Sequence, residues 1–293
     1  MIYKDLVNEI VSEGIWDKDQ EVRPKWKSDN TPAYTKSIIS KKITLDNSEV
    51  PILTTKDFSK SWITSLHEML WFYVERTSNA AYLDKHNVKI WKPWTSPNNT
   101  INLAYGAQLG KQIRTGKKIK TDNKFYNEVG IYEVHELTNQ VHKLINDLKT
   151  NPASRRSIIC LWNIDDLWNM PLYPCVWNSQ WLVKQDRLHL IVQIRSSDTA
   201  LGLPFNVFQY YVLQRMIAQV TGYELGTLTF NINDSHVYER HIGDIVNQIK
   251  REPFEAPILN INPDIKNFDD FTINDFELIG YKHHDKVQFE ISV

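Results

Sequence analysis

Residues 170–241 carry three consecutive stretches: MPLYPCVWNSQW at 170–181, LHLIVQIRSSDTALGLPFNVFQYY at 188–211 and FNINDSHVYERH at 230–241. Residues 174–184 and 187–197 alternate between apolar and polar side chains about the turn-like Gln185-Asp186, the pattern of two strands. In the second, Leu188, Leu190, Val192 and Ile194 share one face. His189, Ile191, Gln193 and Arg195 share the other, a mixed and basic face suited to a site wall. Cys175 follows Pro174 at the head of the first strand, and Arg195 ends the second. Asn206 follows a Gly-Leu-Pro turn where a helix over 206–220 is expected to begin. Such positions let side chains meet a ligand while the scaffold stays rigid. LGTLTFNIND at 225–234 reads as a further strand, and 236–252 as a helix with His236 and Tyr238 at its start.

Outward from this stretch, Ile2, Leu6, Val7, Ile10 and Val11 recur at helical spacing and Gly14 suits a helix stop. The polar run 21–34 holds Arg23, which alone reads as a solvated charge. SIISKKITLDN at 37–47 and PILTTK at 51–56 read as strands. Residues 60–75 form a helix that is apolar nearly all round, hence buried, with Glu68 inside it. Burial should raise that carboxyl toward neutrality, so Glu68 is either a satisfied structural group or a poised acid/base. A helix pattern follows at 78–87, then Trp91 and Trp94 around Pro93, a turn at Ser96–Asn99 and a loop-like segment from Tyr105-Gly106. Residues 111–131 show neither period and read as an exposed insertion. A helix is expected over 135–152, ended by Pro152, and an apolar strand at 157–163 should bury Cys160. Residues 253–293 read as short strands and acidic loops ending in the apolar FEISV. With no internal repeat or linker, a single α/β domain of the α+β type over 1–293 is expected.

Composition narrows the function. Net charge is -1, so no basic field argues for nucleic acid. Ten Trp in a chain with 12% aromatic residues can fill a core or stack on flat ligands. No Gly-rich phosphate loop appears. Two cysteines imply a reducing, cytoplasmic setting, and the N-terminus does not read as a signal peptide. No C-x-x-C or zinc-helix motif is present, so no metal is expected. Cys160 reads as a small buried hydrophobe. Cys175 reads as a nucleophile whose pKa neighbouring arginines should lower.

The segments HEMLWF (67–72), SRR (154–156), YPCVWNSQW (173–181), RSSDTALGLPFN (195–206) and NDSHVY (233–238), in this order, resemble thymidylate synthases over nearly the whole chain. Only about 111–135 looks like a variable insertion. The resemblance implies a bent mixed sheet packed by helices, with sheets forming a homodimer interface. It implies reductive methylation of dUMP to dTMP with 5,10-methylenetetrahydrofolate as one-carbon and hydride donor. Cys175 would add to C6 of the pyrimidine, and Glu68 would serve proton transfer. Arg23, Arg195 and Ser196, with Arg155 and Arg156 of a partner subunit, would hold the phosphate. Asp198 and Gly202 would line the pyrimidine and folate site, Asn206 would read the base, and His236 and Tyr238 would bind the deoxyribose hydroxyl. Trp91, Trp94 and Tyr105 would flank the folate and the reacting centre, and the tail ending at Val293 would close over both ligands.

Read by itself, Asn206 agrees with that substrate. An amide offers a donor and an acceptor, matching O4 and N3–H of uracil, whereas cytosine suits an aspartate. Three positions depart from the common family pattern: Lys92-Pro93 between the tryptophans, Val176 after the nucleophile, and Asn233 before Asp234. They leave a dUMP hydroxymethylase, in which water quenches the intermediate, as the alternative. A non-catalytic nucleotide- or RNA-binding relative is the third reading, disfavoured by Cys175, Glu68, Arg195 and Asn206 occurring together.

Overall fold

The computed structural model describes residues 2–119, 124–125 and 131–292. Its centre is a mixed sheet built from β1 (Ile15–Trp16), β2 (Thr35–Leu45), β5 (Ile158–Cys160), β6 (Val176–Lys184), β7 (Arg187–Ile194), β8 (Ser197–Asp198) and β9 (Glu224–Tyr238). The order is β1-β2-β9-β7-β6-β5, with β8 beside β9. Turn residues Gln185 and Asp186, both at positive φ, join β6 to β7 as an antiparallel pair. β7 and β9 are parallel, so the chain must cross over between them. It does so through the long helix Gly202–Thr221, ended by Gly222 at φ 82°. Register shifts at Val176/Asn178 and Leu188/Leu190 mark bulges, which bend strands.

The helices, in chain order, are α1 (Ile2–Glu13), α2 (Ser61–Tyr73), α3 (Ala81–Lys85), α4 (Gly106–Gly110), α5 (Gln140–Thr150), α6 (Gly202–Thr221) and α7 (Ile242–Gln248). α1 and α6 lie on the sheet, and α2 packs on α6, where Tyr73 Oη meets Tyr210 Oη at 3.1 Å. Leu188, Leu190, Val192 and Ile194 are fully buried on that side, as the alternation requires. A hairpin of β3 (Ile113–Ile119) with β4 (Ile131–Thr138) and a pair of β10 (Ile258–Ile261) with β11 (Phe276–Ile279) lie apart from the main sheet. No helix among the described residues is long and apolar enough to cross a membrane.

Several expectations are corrected. Residues 51–56 form no strand, because their carbonyls bind the tail instead: Tyr281 Oη donates to Leu53 O at 2.6 Å, and His284 N–H to Thr54 O at 2.9 Å. The 111–131 stretch does contain a strand, since a hairpin ladder satisfies the backbone whatever the side-chain period. The following helix starts only after Asn139, whose side chain caps His142 N–H at 2.9 Å. Tyr105-Gly106 opens a short helix, α4, rather than a loop. Cys160 is only half-buried, because β5 is the sheet's edge strand. His236 and Tyr238 end β9 rather than begin a helix, and Asn206 sits a full turn inside α6.

A Cβ added at Gly106 would lie 2.1 Å from Thr77 O, a backbone atom that cannot step aside. Gly106→Ala is therefore expected to lower unfolding free energy by about 1–3 kcal/mol, measured by urea denaturation.

Candidate active site

The site forms where β6 begins and β7 and β9 end. Because Val176 pairs with Ile194, the residues just outside the ladder, Cys175 and Arg195, lie side by side. Arg195 N–H donates to Cys175 O at 2.9 Å. The Arg195 side chain turns back over the same segment, with Nε donating to Pro174 O at 3.0 Å and Nη2 to Tyr173 O at 2.9 Å. Its guanidinium also lies 5.9 Å from the Trp162 ring. The charge beside the thiol is thus anchored to the backbone that carries the thiol.

β8 then runs parallel to the end of β9 and places Asp198 next to His236. Asp198 Oδ1 accepts Ala200 N–H at 2.8 Å and Leu201 N–H at 3.2 Å, holding the turn into Gly202 and α6. His236 is buried, and its Nδ1 meets Asp234 Oδ1 at 2.6 Å. Tyr238 packs edge-on against His236 and Trp26, with ring centroids 5.3 and 5.7 Å apart. Burial raises the Tyr238 phenol, and Ser292, Asp198, Arg23 and Cys175 all act on it, which puts exposed Arg23 within the same electrostatic environment.

On the other side stands Glu68. Trp91 Nε1 donates to its Oε1 and Gln209 Nε2 to its Oε2. Asn206 Nδ2 meets Gln209 Oε1 at 3.4 Å, so carboxylate, glutamine and asparagine form a chain of polar contacts across α2 and α6. Burial pushes the Glu68 carboxyl up, and the two donors pull it partly back. Tyr105 completes this wall. Its ring stacks on Phe72 at 4.6 Å with a 9° interplanar angle, and its Oη accepts Cys175 N–H at 3.1 Å. The Tyr105 backbone has φ 44°, a strained value for a bulky residue, next to the close approach of Gly106 to Thr77. Burial holds the Tyr105 phenol well above its usual value. Trp91 lies 5.2 Å from Tyr105 and 5.8 Å from half-buried Trp94.

Two sequence expectations change here. The Cys175 thiol is raised rather than lowered, because burial outweighs the opposing influence of Arg195 and Tyr105. Of the face expected to wall the site, only Arg195 reaches Cys175. His189 instead binds Thr227, and Ile191 and Gln193 lie half-buried on the side away from the helices. Arg155 and Arg156 are exposed and lie elsewhere in the chain. Ser157 and Trp181 are paired there, roughly 20 Å along β6 from Cys175 at ~3.3 Å per residue. Ser196 is half-buried directly after Arg195. Val293 lies outside the described residues. Of the three family departures, Lys92 is exposed and paired with Asp84 at 2.6 Å, Asn233 is exposed, and Val176 is buried in the core. Sequence reading missed Gln209, Phe72 and Lys56. Gln209 could have been found one helical turn after Asn206. Lys56 is buried, donates to Ala200 O at 2.9 Å and is lowered to about 8 by burial, against the pull of Asp198.

The thymidylate synthase family model matches residues 1–293. The thymidylate synthase of Bacillus phage phi3T is 51% identical over 291 residues, covering 99% of this chain and 98% of that protein. Thymidylate synthase 1 of Bacillus subtilis (strain 168) is equally similar over the same shares. The solved thermostable thymidylate synthase A from Bacillus subtilis superposes with a TM-score of 0.88 at 51% identity, covering 100% of this chain and 98% of that one.

The raised Glu68 carboxyl has a thermodynamic signature. The folded chain holds this proton more tightly than the unfolded chain, so its contribution to stability falls as pH rises from the ordinary value of 4.5 through the higher folded one. Glu68→Gln removes that slope. The variant's melting temperature relative to wild type is expected to increase across that window and then level off, as read by thermal melts from pH 4.5 to 8.5.

Proposed function

The chain belongs to the thymidylate synthase family, and we propose that it makes dTMP by reductive methylation of dUMP with 5,10-methylenetetrahydrofolate. The observation that carries the reading is the convergence of Cys175, Arg195, Tyr105, Glu68 and Asn206 at one end of the sheet. When bound, the folate supplies a one-carbon unit and a hydride. The aromatic wall of Trp91, Trp94 and Tyr105 fits a flat ring system, because its rings already meet edge to face. Glycine at 202, beside Asp198, leaves that end of the wall open.

The chain's own groups have distinct tasks. Cys175 loses its proton and bonds to C6 of the uracil, making C5 nucleophilic. Burial raises the thiol, and Arg195 and Tyr105 oppose that rise. A bound phosphate and its arginines then redistribute charge around it. Arg195 supplies the fixed positive charge. Tyr105 and Glu68 border the reacting carbon, and burial tunes Glu68 upward for proton exchange. Asn206, backed by Gln209, offers its amide to O4 and N3–H of the base. His236 and Tyr238 receive the deoxyribose hydroxyl. Arg23, Arg195 and Ser196 receive the phosphate, whose oxygens suit guanidinium forks.

Arg155 and Arg156 join that phosphate site only from a partner subunit. Support for a homodimer comes from the sheet's outer face. Ile158, Gln180 and Ile191 are cross-strand neighbours there, and Ile158 is 45% exposed. A two-fold interface on this face buries the same row from each copy. Sedimentation is expected to give a dimer; an active monomer would contradict the shared arginines.

Incubation with dUMP and 5,10-methylenetetrahydrofolate is expected to yield dTMP and dihydrofolate, read by nucleotide mass and folate absorbance. Hydroxymethyl-dUMP with tetrahydrofolate would overturn the methylation reading. Cys175→Ala is expected to abolish turnover while retaining dUMP binding by calorimetry; undiminished turnover would remove it as the nucleophile. Asn206→Asp is expected to narrow the preference for dUMP over dCMP by at least about tenfold in kcat/KM.

A further inference from the structure

We propose that Arg240 is a positioning residue that clamps the C-terminal strap, residues 286–292, onto the 26–31 turn. The proposal rests on the thymidylate synthase reading only in taking the strap as a wall of the folate site.

Arg240 follows Tyr238 by two residues, at the exit of β9. Its Nη2 meets Asp29 Oδ2 at 2.6 Å and Thr31 Oγ1 at 3.0 Å. Its Nη1 meets Glu290 Oε2 at 3.0 Å and Ser28 Oγ at 3.2 Å. The guanidinium lies 4.7 Å from the Trp26 ring. One planar fork therefore joins a carboxylate of the turn to a carboxylate of the strap, and lies over the aromatic ring between them. A Lys ammonium is a point charge and has no such fork.

The clamped strap reaches the site. Ser292 bridges to Trp26 through the backbone and acts against the burial-driven rise of the Tyr238 phenol. His241 Nε2 meets Glu290 O at 2.7 Å, and Phe289 packs 5.0 Å from His241 and 4.9 Å from the Lys56 ammonium. The strap makes no helix and only an isolated bridge at its end, so its docking depends on a few side-chain contacts. Removing one clamp from such a segment lowers the docked fraction. A ligand that needs the docked form then shows a weaker apparent affinity by the same factor.

The test uses the full-length protein. Hydrogen exchange of residues 286–292 without ligand is expected to accelerate at least about threefold in Arg240→Ala and in Glu290→Gln, with Arg240→Lys between Ala and wild type. The double variant is expected to be no faster than the faster single one, because both remove the same contact. KM for the folate is expected to rise about three- to tenfold in Arg240→Ala with a smaller change in kcat. Raising salt to 1 M is expected to speed strap exchange in wild type but not in Arg240→Ala. A merely structural arginine would shift the melting temperature while leaving strap exchange and its salt response unchanged, and that result overturns the proposal. Wild-type protein that makes no dTMP would defeat the functional reading, while strap exchange would still decide for or against the clamp.

Discussion

The site depends on the side-by-side emergence of Cys175 and Arg195 from one antiparallel pair. The Val176–Ile194 register puts them there, and three hydrogen bonds from Arg195 to carbonyls of residues 173–175 keep them there. A one-residue slip would turn Leu188, Leu190, Val192 and Ile194 out of the core. Hydrophobic burial therefore sets where the Cys175 thiol emerges, through strand register. The parallel pairing of β8 with β9 adds Asp198 and His236 to the same end, and the α6 crossover brings Asn206 and Gln209.

A buried carboxylate opposite that thiol is costly unless its oxygens are satisfied. Trp91 and Gln209 each donate to one oxygen of Glu68, so the group is held in place but still pushed upward by burial. The same low-polarity surroundings raise the Cys175 thiol. Burial thus favours the neutral form of both groups. The strained Tyr105 backbone belongs to the same design, since its phenol must meet Cys175 N–H while its ring stacks on Phe72.

Much of the framework was legible from periodicity. α1, α2, β2, β6, β7 and the core of α6 fall where the apolar spacing puts them. Legibility failed where backbone pairing was satisfied without a side-chain pattern. β3 pairs with β4 although residues 111–131 show no strand period, and residues 51–56 look strand-like yet bind the tail. The end of β9 reads as a helix start because the helical spacing of 242–248 extends backward through His236 and Tyr238.

By itself the sequence determined the identities of the chemical groups: one cysteine after a proline at a strand head, a carboxylate inside an apolar helix, an amide near a Gly-Leu-Pro turn, and the family motifs that order them. It also determined which strand faces are buried, because side-chain alternation is a local property. Only the tertiary structure decided which groups meet. Gln209 joins Glu68, Lys56 joins Ala200 and Phe289, Arg240 joins Asp29 and Glu290, and Arg155 and Arg156 stay away from their own chain's thiol. The thiol's direction of shift was likewise decided there, since desolvation depends on all that surrounds the sulfur. Contacts between distant segments and the polarity around a group arise from packing in three dimensions, and neither leaves a period in the chain.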